Sequence, residues 1–249
     1  MLSLKTVDVL GLQVAVVDYT GAIDAIKHLA RRSQPAAVSA CNTHLVAESN
    51  LDPGFGKIMR SFDLILPDGM PLIWLMNLDR AGLKNRVYGP YLMEKLIQAT
   101  PAPWKHYFFG SSQECLDQLL SAVQKLQPDI RIAGAFSPPF RQWSDDDHAE
   151  HAAKINEMSP DFIWVALGGG RQERWIVDHQ HRFGRGVFFG IGDGFELLAG
   201  RRPYAPAWMQ RAGLTWLYRL LQEPQRLWKR YFKYNVLFVW YALRARFVR

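Results

Sequence analysis

The sequence predicts an α/β domain, a mainly parallel sheet with helices on both faces, followed by a C-terminal helical appendage. Three observations carry this. Up to about residue 200, short apolar, β-branched runs alternate with longer helical patterns. Glycine-bearing or turn-forming stretches follow most of those runs. After Gly200 the strand alternation stops and the balance of charge changes sign. Strands separated by helices pair in parallel through crossovers that cover both faces of the sheet, a Rossmann-like arrangement.

In chain order, Thr6 to Asp18, with Gly11 near its middle, reads as a hairpin at the sheet edge. Strands are expected at residues 36–41, 63–66, 106–109, 130–135, 162–167 and 187–191. Ser111 or Ser112 caps a helix running to Leu126, and Ser144 followed by Asp145, Asp146 and Asp147 supplies a cap and an acidic first turn for a helix to about Met158. Pro203 and Pro206 open a segment without strand alternation, and Pro224 suits the first turn of a last helix reaching about Val248. The division is therefore residues 1–200, a nucleotide-binding α/β part, and residues 201–249, the appendage.

Composition narrows the function classes. Two cysteines, Cys41 and Cys115, make no disulfide framework, and no secretory signal pattern opens the chain, so a reducing cytoplasm is expected. The apolar run Val236 to Leu243 is far shorter than the roughly 20 residues a membrane span requires. Residues 201–249 hold eleven Lys and Arg against Glu223 alone, a net of +10, which leaves −3 for residues 1–200 of a chain whose total is +7. The same segment carries 12 of the 32 aromatic residues. A basic, aromatic tail on a mildly acidic body points to an anionic partner. Arg226, Arg230 and Lys233 share one helical face beside Leu227, Tyr231 and Tyr234, which fits a helix lying in an anionic membrane interface. Nucleic acid is not expected, because no helix-turn-helix, zinc or RNA-recognition signature accompanies the charge.

Ligands of open α/β sheets bind beyond the C-terminal strand ends. Five stretches fall there: Asn42-Thr43-His44, Pro67-Asp68-Gly69-Met70, Gly110-Ser111-Ser112, Gly168-Gly169-Gly170-Arg171-Gln172-Glu173, and Gly190-Ile191-Gly192-Asp193-Gly194. Each alone reads equally well as a tight connection. Together, successive glycine turns able to aim backbone N–H groups at phosphate predict a nucleotide cleft. Asp68, held stiffly between Pro67 and Gly69, is the candidate acid–base residue, against an Asx-turn alternative. The acidic run at 145–147 reads as a helix start ahead of a metal site, and His148 and His151 follow no zinc spacing and are expected to be solvated, so no metal is assigned. Gly190 to Gly194 also resembles a methyltransferase or dinucleotide loop, but it lies after the last strand and not the first.

Those stretches, with Ser137-Pro138-Pro139-Phe140, Gln172-Glu173-Arg174-Trp175 and Trp216-Leu217-Tyr218-Arg219-Leu220-Leu221-Gln222-Glu223-Pro224, resemble the WecG/TagA/CpsF glycosyltransferase family over residues 5 to 235. The resemblance implies inverting, metal-independent transfer from a UDP-sugar, of the N-acetylmannosamine type, its uronic acid or UDP-glucose, to a polyprenyl-diphosphate-linked sugar in cell-surface polysaccharide synthesis. It implies a peripheral position on the inner face of the cell membrane, and it leaves a homo-oligomer open. Matched residue by residue, it makes Asp68 the base, with Asn42 and Gln172 in the active site. Arg86 is matched to substrate binding, and Arg219, Arg226 and, with less definition, Lys229 or Arg230 to the diphosphate. The remaining cleft residues expected to bind substrate are Thr43, Gly110, Gly168, Gly170, Glu173, Gly192 and Asp193. The chain departs from the family's Gly-x-Pro-Lys-Gln-Glu at 168–173, from Gly-Gly-x-Phe-Asp at 192–196, and from a frequent aspartate at Tyr91. A non-catalytic nucleotide-binding module at a membrane surface is the alternative reading.

Overall fold

The structure, a computed structural model, describes residues 4–139 and 143–247. The chain opens with β1 (Thr6–Val9) and β2 (Leu12–Ala15), antiparallel across Leu10 and Gly11 at φ 54° and 88°. Positive φ at both turn residues gives the twist that a two-residue hairpin needs. The hairpin does not extend the main sheet, as the sequence had suggested; it is a separate two-stranded sheet. The reason lies in its alternation. Val7, Val9, Leu12 and Val14 all point to one face, and that face is buried in the same apolar cluster as Ile65, so the hairpin lies face-down on the core.

Helix α1 (Tyr19–Ala30), capped by Asp18, leads into β3 (Ala36–Cys41). Then α2 (Thr43–Leu51) and α3 (Pro53–Arg60) lead to β4 (Leu64–Pro67), and α4 (Met70–Leu78) and α5 (Gly89–Gln98) to β5 (Lys105–Gly110). The alternation continues through α6 (Gln113–Leu126), β6 (Arg131–Phe136), α7 (Asp145–Met158), β7 (Phe162–Ala166), α8 (Arg171–His179) and β8 (Val187–Gly190). Strands β3 to β8 form one parallel sheet in the order β4-β3-β8-β7-β5-β6. The last strand thus enters the middle of the sheet, between β3 and β7, and brings its glycine turn beside theirs. Successive residues of β7 feed opposite faces: Phe162 and Trp164 pack into one apolar cluster, Ile163 and Val165 into the other.

The caps follow their residues. Ser112 Oγ accepts from Cys115 N at 3.2 Å to start α6. Ser144 Oγ accepts from Asp147 N at 3.1 Å while the Asp147 carboxylate accepts from Ser144 N at 2.9 Å, so the acidic run is a capping box. His151, expected to be solvated, is instead buried. Its ring centroid lies 4.3 Å from that of Phe136 and 5.4 Å from Phe109, and burial pushes its pKa down to about 4. It sits on the inner face of α7, where the helix covers β6. His148 is partly covered as well, 3.9 Å from the His179 ring.

Four helices complete the chain: α9 (Gly194–Leu198), α10 (Ala207–Arg211), α11 (Thr215–Gln222) and α12 (Pro224–Phe247). Helix α12 lies along α2. Thr43 donates to Asn235 Oδ1 at 3.1 Å, the His44 and Tyr234 rings meet at 4.1 Å, Leu227 is fully buried, and Phe238 joins the cluster that contains Leu45 and Val46. The appendage is therefore packed onto the core along α12 and also through its earlier residues, with Gln210 donating to the Tyr91 hydroxyl at 3.0 Å.

Candidate active site

The C-terminal ends of β4, β3, β8 and β7 lie side by side and open into a cleft of about 790 Å³. Its wall includes Asn42, Asp68, Gly168, Gln172, Gly192 and Asp193, with Ser111 reaching in from β5. All five strand-end stretches singled out in the sequence contribute to it. The tail closes the other side with Thr215, Arg219, Arg226, Arg230 and the C-terminal half of α12.

Asp68 follows β4, its backbone N–H fixed by the Cys41 carbonyl at 2.8 Å. Its side chain is 11% exposed, and Oδ1 is a buried oxygen without a hydrogen-bond partner. Burial raises its pKa from 3.8 to about 7; Arg86 and the Gly89 N–H oppose the rise, and Asp193 adds to it. A carboxylate that gains a proton near neutrality, lines a cleft and has one oxygen without a hydrogen-bond partner is suited to accept a proton from a hydroxyl.

Arg86 lies 3.9 Å from Asp68 Oδ1, sits over the Tyr88 ring at 4.2 Å, and donates to Thr215 Oγ1 at 2.7 Å. Asn42 caps α2, its Oδ1 accepting from His44 N and Leu45 N at 3.1 and 3.3 Å. The oxygen of Asn42 is thus committed to the helix. Thr43 is bound to Asn235 of α12, and Asp193 pairs with Arg219 of α11 at 3.1 Å. Three residues expected to bind substrate are each tied to the tail: Thr43, Arg86 and Asp193. The signal for Thr215 and Asn235 as their partners was absent from the sequence, because these pairs join positions more than a hundred residues apart.

The two glycine turns are bolted together. Glu173, 1% exposed, accepts from Gly170 N at 2.7 Å and from Gln172 Nε2 at 3.0 Å. Gln172 Oε1 in turn accepts from Gly192 N at 3.0 Å. Gly170 at φ +81° has the Glu48 carboxylate so close that a Cβ would lie 3.1 Å from it, so conformation and space both call for glycine. Burial pushes the Glu173 pKa up to about 6, opposed first by the Gln172 amide. The side chains of Gln172 and Glu173 are spent on holding the turns.

Arg226 and Arg230 line the cleft, and Glu223 receives both Arg202 and Arg226. Lys233 does not share their surroundings, contrary to the single basic face read from the sequence. It is exposed and sits over the Tyr234 ring at 5.2 Å. Helix α12 presents several faces to a curved wall, and its cations on that wall are Arg226 and Arg230 near its start and Arg246 in its last turn. Lys229 lies outside the cleft wall, over Trp228 at 5.6 Å. Gly110, at φ +116°, packs so closely on β7 that a Cβ would meet the Ala166 carbonyl at 2.5 Å, so its place here is one of strand packing. Phe140, part of the Ser-Pro-Pro-Phe string, lies outside the described residues. Among the described residues no group of three or more His, Cys, Asp or Glu side chains is placed to hold a metal ion.

The model of the glycosyl transferase WecG/TagA/CpsF family matches residues 7–249. The chain is 30% identical over 205 residues to an N-acetylglucosaminyldiphosphoundecaprenol N-acetyl-beta-D-mannosaminyltransferase of Bacillus subtilis, covering 82% of this chain and 78% of the relative. It is similarly 30% identical over 200 residues to the protein of that name in Bacillus spizizenii, covering 80% and 76%. Identity to the Staphylococcus aureus protein of that name is 24% over 194 residues, covering 78% and 73%. A parallel α/β sheet with a nucleotide-sized cleft at its strand ends, a carboxylate there with its pKa raised to about 7 and a family match over nearly the whole length lead to one conclusion: the chain is a glycosyltransferase and belongs to the WecG/TagA/CpsF family.

Proposed function

We propose that the protein transfers a sugar of the N-acetylmannosamine type from its UDP conjugate to a sugar carried on polyprenyl diphosphate, with inversion and without a metal. The observation that carries the reading is Asp68. It is the buried carboxylate whose free oxygen and pKa of about 7 equip it to take the proton of an acceptor hydroxyl as that oxygen attacks the anomeric carbon. The attack breaks the bond to UDP on the opposite face, so one base suffices and no covalent sugar is formed on the protein. The charge that builds on the departing diphosphate is offset by Arg219, Arg226 and Arg230 and by the backbone N–H groups of the glycine turns. The acceptor and donor are supported by the names of the Bacillus relatives.

The lipid-linked acceptor requires a bilayer surface. Trp228, Phe232, Val236 and Trp240 form an exposed apolar stripe on α12 at helical spacing, flanked by the exposed Lys229, Lys233 and Arg244. No described helix is long and apolar enough to cross a membrane. The reading is peripheral binding through this stripe, on the inner face of the cell membrane where the nucleotide donor is available. The test is direct: UDP-sugars, including N-acetylmannosamine, its uronic acid and glucose, are incubated with a short-chain prenyl-diphosphate-linked N-acetylglucosamine and the products are analysed by mass spectrometry. Transfer of N-acetylmannosamine supports the proposal. Binding of UDP without turnover of any donor would leave the non-catalytic module as the reading.

A further inference from the structure

The cleft has two chemically different ends, and the long helix α12 sets them apart. Asn235, near its middle, meets Thr43 beside the candidate base site. Towards its start α12 carries Arg226 and Arg230 on the cleft wall; towards its end it carries Val239 and Leu243, with Arg246 closing the wall at its last turn. These last two face the same cleft as Trp74 and Leu78 of α4. Each pair is spaced i, i+4 and so occupies a single helical face. All four are half exposed, at 54% for Trp74, 56% for Leu78 and 54% for both Val239 and Leu243. Along the first half of α4 the wall is closed, because Gly213 approaches so near that a Cβ would lie 2.9 Å from the Met70 Cβ and 3.4 Å from the Trp74 ring. From the outer edge of Trp74 onward, the half-exposed apolar side chains of α4 and α12 line the mouth of the same cleft.

Apolar side chains exposed around the mouth of a catalytic cleft are costly unless something apolar covers them. The occupant has to be continuous with a ligand whose reacting group reaches Asp68. It has to leave the cleft away from Arg226 and Arg230, which suit the nucleotide diphosphate. It also has to pass onto the outward stripe of α12, which joins the mouth without a break as Val236, Val239, Trp240 and Leu243 follow at helical spacing. A nucleotide, a sugar or a peptide strand has no reason to meet these demands together. A prenyl chain attached through diphosphate to the acceptor sugar meets all three.

We propose that the mouth between Trp74 and Leu78 on α4 and Val239 and Leu243 on α12 is a subsite for the first isoprene units of the acceptor. This rests on the acceptor assigned above. The subsite binds hydrocarbon directly, within the protein, and its contribution does not depend on a bilayer.

The experiment uses the full chain without vesicles, below the micelle-forming concentration of every acceptor, and compares N-acetylglucosamine diphosphate esters of ethyl, geranyl and farnesyl alcohols. The expected result is that kcat/KM rises about tenfold or more from ethyl to farnesyl, mostly through KM. In the double variant Leu78→Gln, Leu243→Gln that ratio falls to about one; the single variant Trp74→Gln, on a half-exposed side chain, lowers it partway. Melting curves and UDP affinity show that each variant is folded. Turnover independent of chain length, or a ratio kept in both variants, overturns the subsite alone. No transfer to any ester overturns the acceptor assignment, and the subsite with it.

Discussion

Arg86 donates to the hydroxyl of Thr215 at 2.7 Å from a position 3.9 Å from Asp68, so the appendage and the candidate base share one guanidinium. The charge that opposes the raised pKa of Asp68 is thus held in place by α11. Docking of the tail and readiness of the base are features of one arrangement.

Replacing Asp68 by Asn keeps its size and removes its basicity. Transfer should fall by about 10² or more while UDP affinity is retained, as expected for loss of a general base. In the wild type, kcat/KM should drop below about pH 7 as Asp68 takes up its proton, and the residual activity of the variant should lack that limb. Steady-state rates between pH 5 and 9 decide it; near-wild-type turnover in the variant would remove Asp68 from the role.

The same substitution should stabilise the fold at alkaline pH. Asp68 titrates near 7 in the folded chain against an ordinary 3.8, so between those values the folded state keeps a proton that the unfolded chain has lost, and stability falls as pH rises. Asn carries no such cost. Asp68→Asn should melt higher than wild type at pH 8, by on the order of 5 °C, with the difference shrinking towards pH 4. Equal melting temperatures at pH 8 would contradict the burial argument.

Glu173→Gln places an amide where a carboxylate accepts from both Gly170 and Gln172. At least one buried donor is then left facing another donor, a cost of about 1–3 kcal/mol that falls on the turns expected to hold UDP. The donor KM should rise about tenfold with a smaller change in kcat. An unchanged donor KM would mean that the turns hold their shape without this clamp.

Transfer should persist in excess EDTA, since the acidic run at 145–147 is engaged as a helix start and arginines are assigned to the leaving group. Activity lost on chelation and restored by magnesium or manganese would reverse the assignment.

Phe232→Glu with Trp240→Glu puts charges into the outward stripe of α12. The double variant should lose co-sedimentation with vesicles containing phosphatidylglycerol, which in the wild type should weaken with salt. Retained co-sedimentation would place the membrane contact elsewhere.

The strands and the site floor were legible because they rest on local signals. Period, glycine turns and caps such as Ser112 and Ser144 state their purpose within a few residues, and Asp68 stands out through its immediate neighbours. The tail was legible in composition alone. That Phe238 joins the core, that Lys233 turns away from Arg230, and that Thr215 holds Arg86 depend on how α11 and α12 dock. Docking is decided by surfaces assembled from distant stretches. The hairpin shows the same limit: its pairing was readable, its seat on the core was not. The exposed Trp74 and Leu78 had a signal that went unread, an α4 segment apolar at nearly every position and therefore too apolar for a helix with one side in water.

Gly190 ends the central strand under the joined heads of two buried side chains; a Cβ there would stand 2.8 Å from Gln172 Nε2 and 2.9 Å from Glu173 Oε1. A side chain at this position would push the Gln172 amide and the Glu173 carboxylate off Gly192 N and Gly170 N, so a substitution here acts on the turns through residues 172 and 173. Positions 172, 173 and 190 therefore act as one unit, and the cleft's floor answers to a change at any of them through the same two hydrogen-bonded turns.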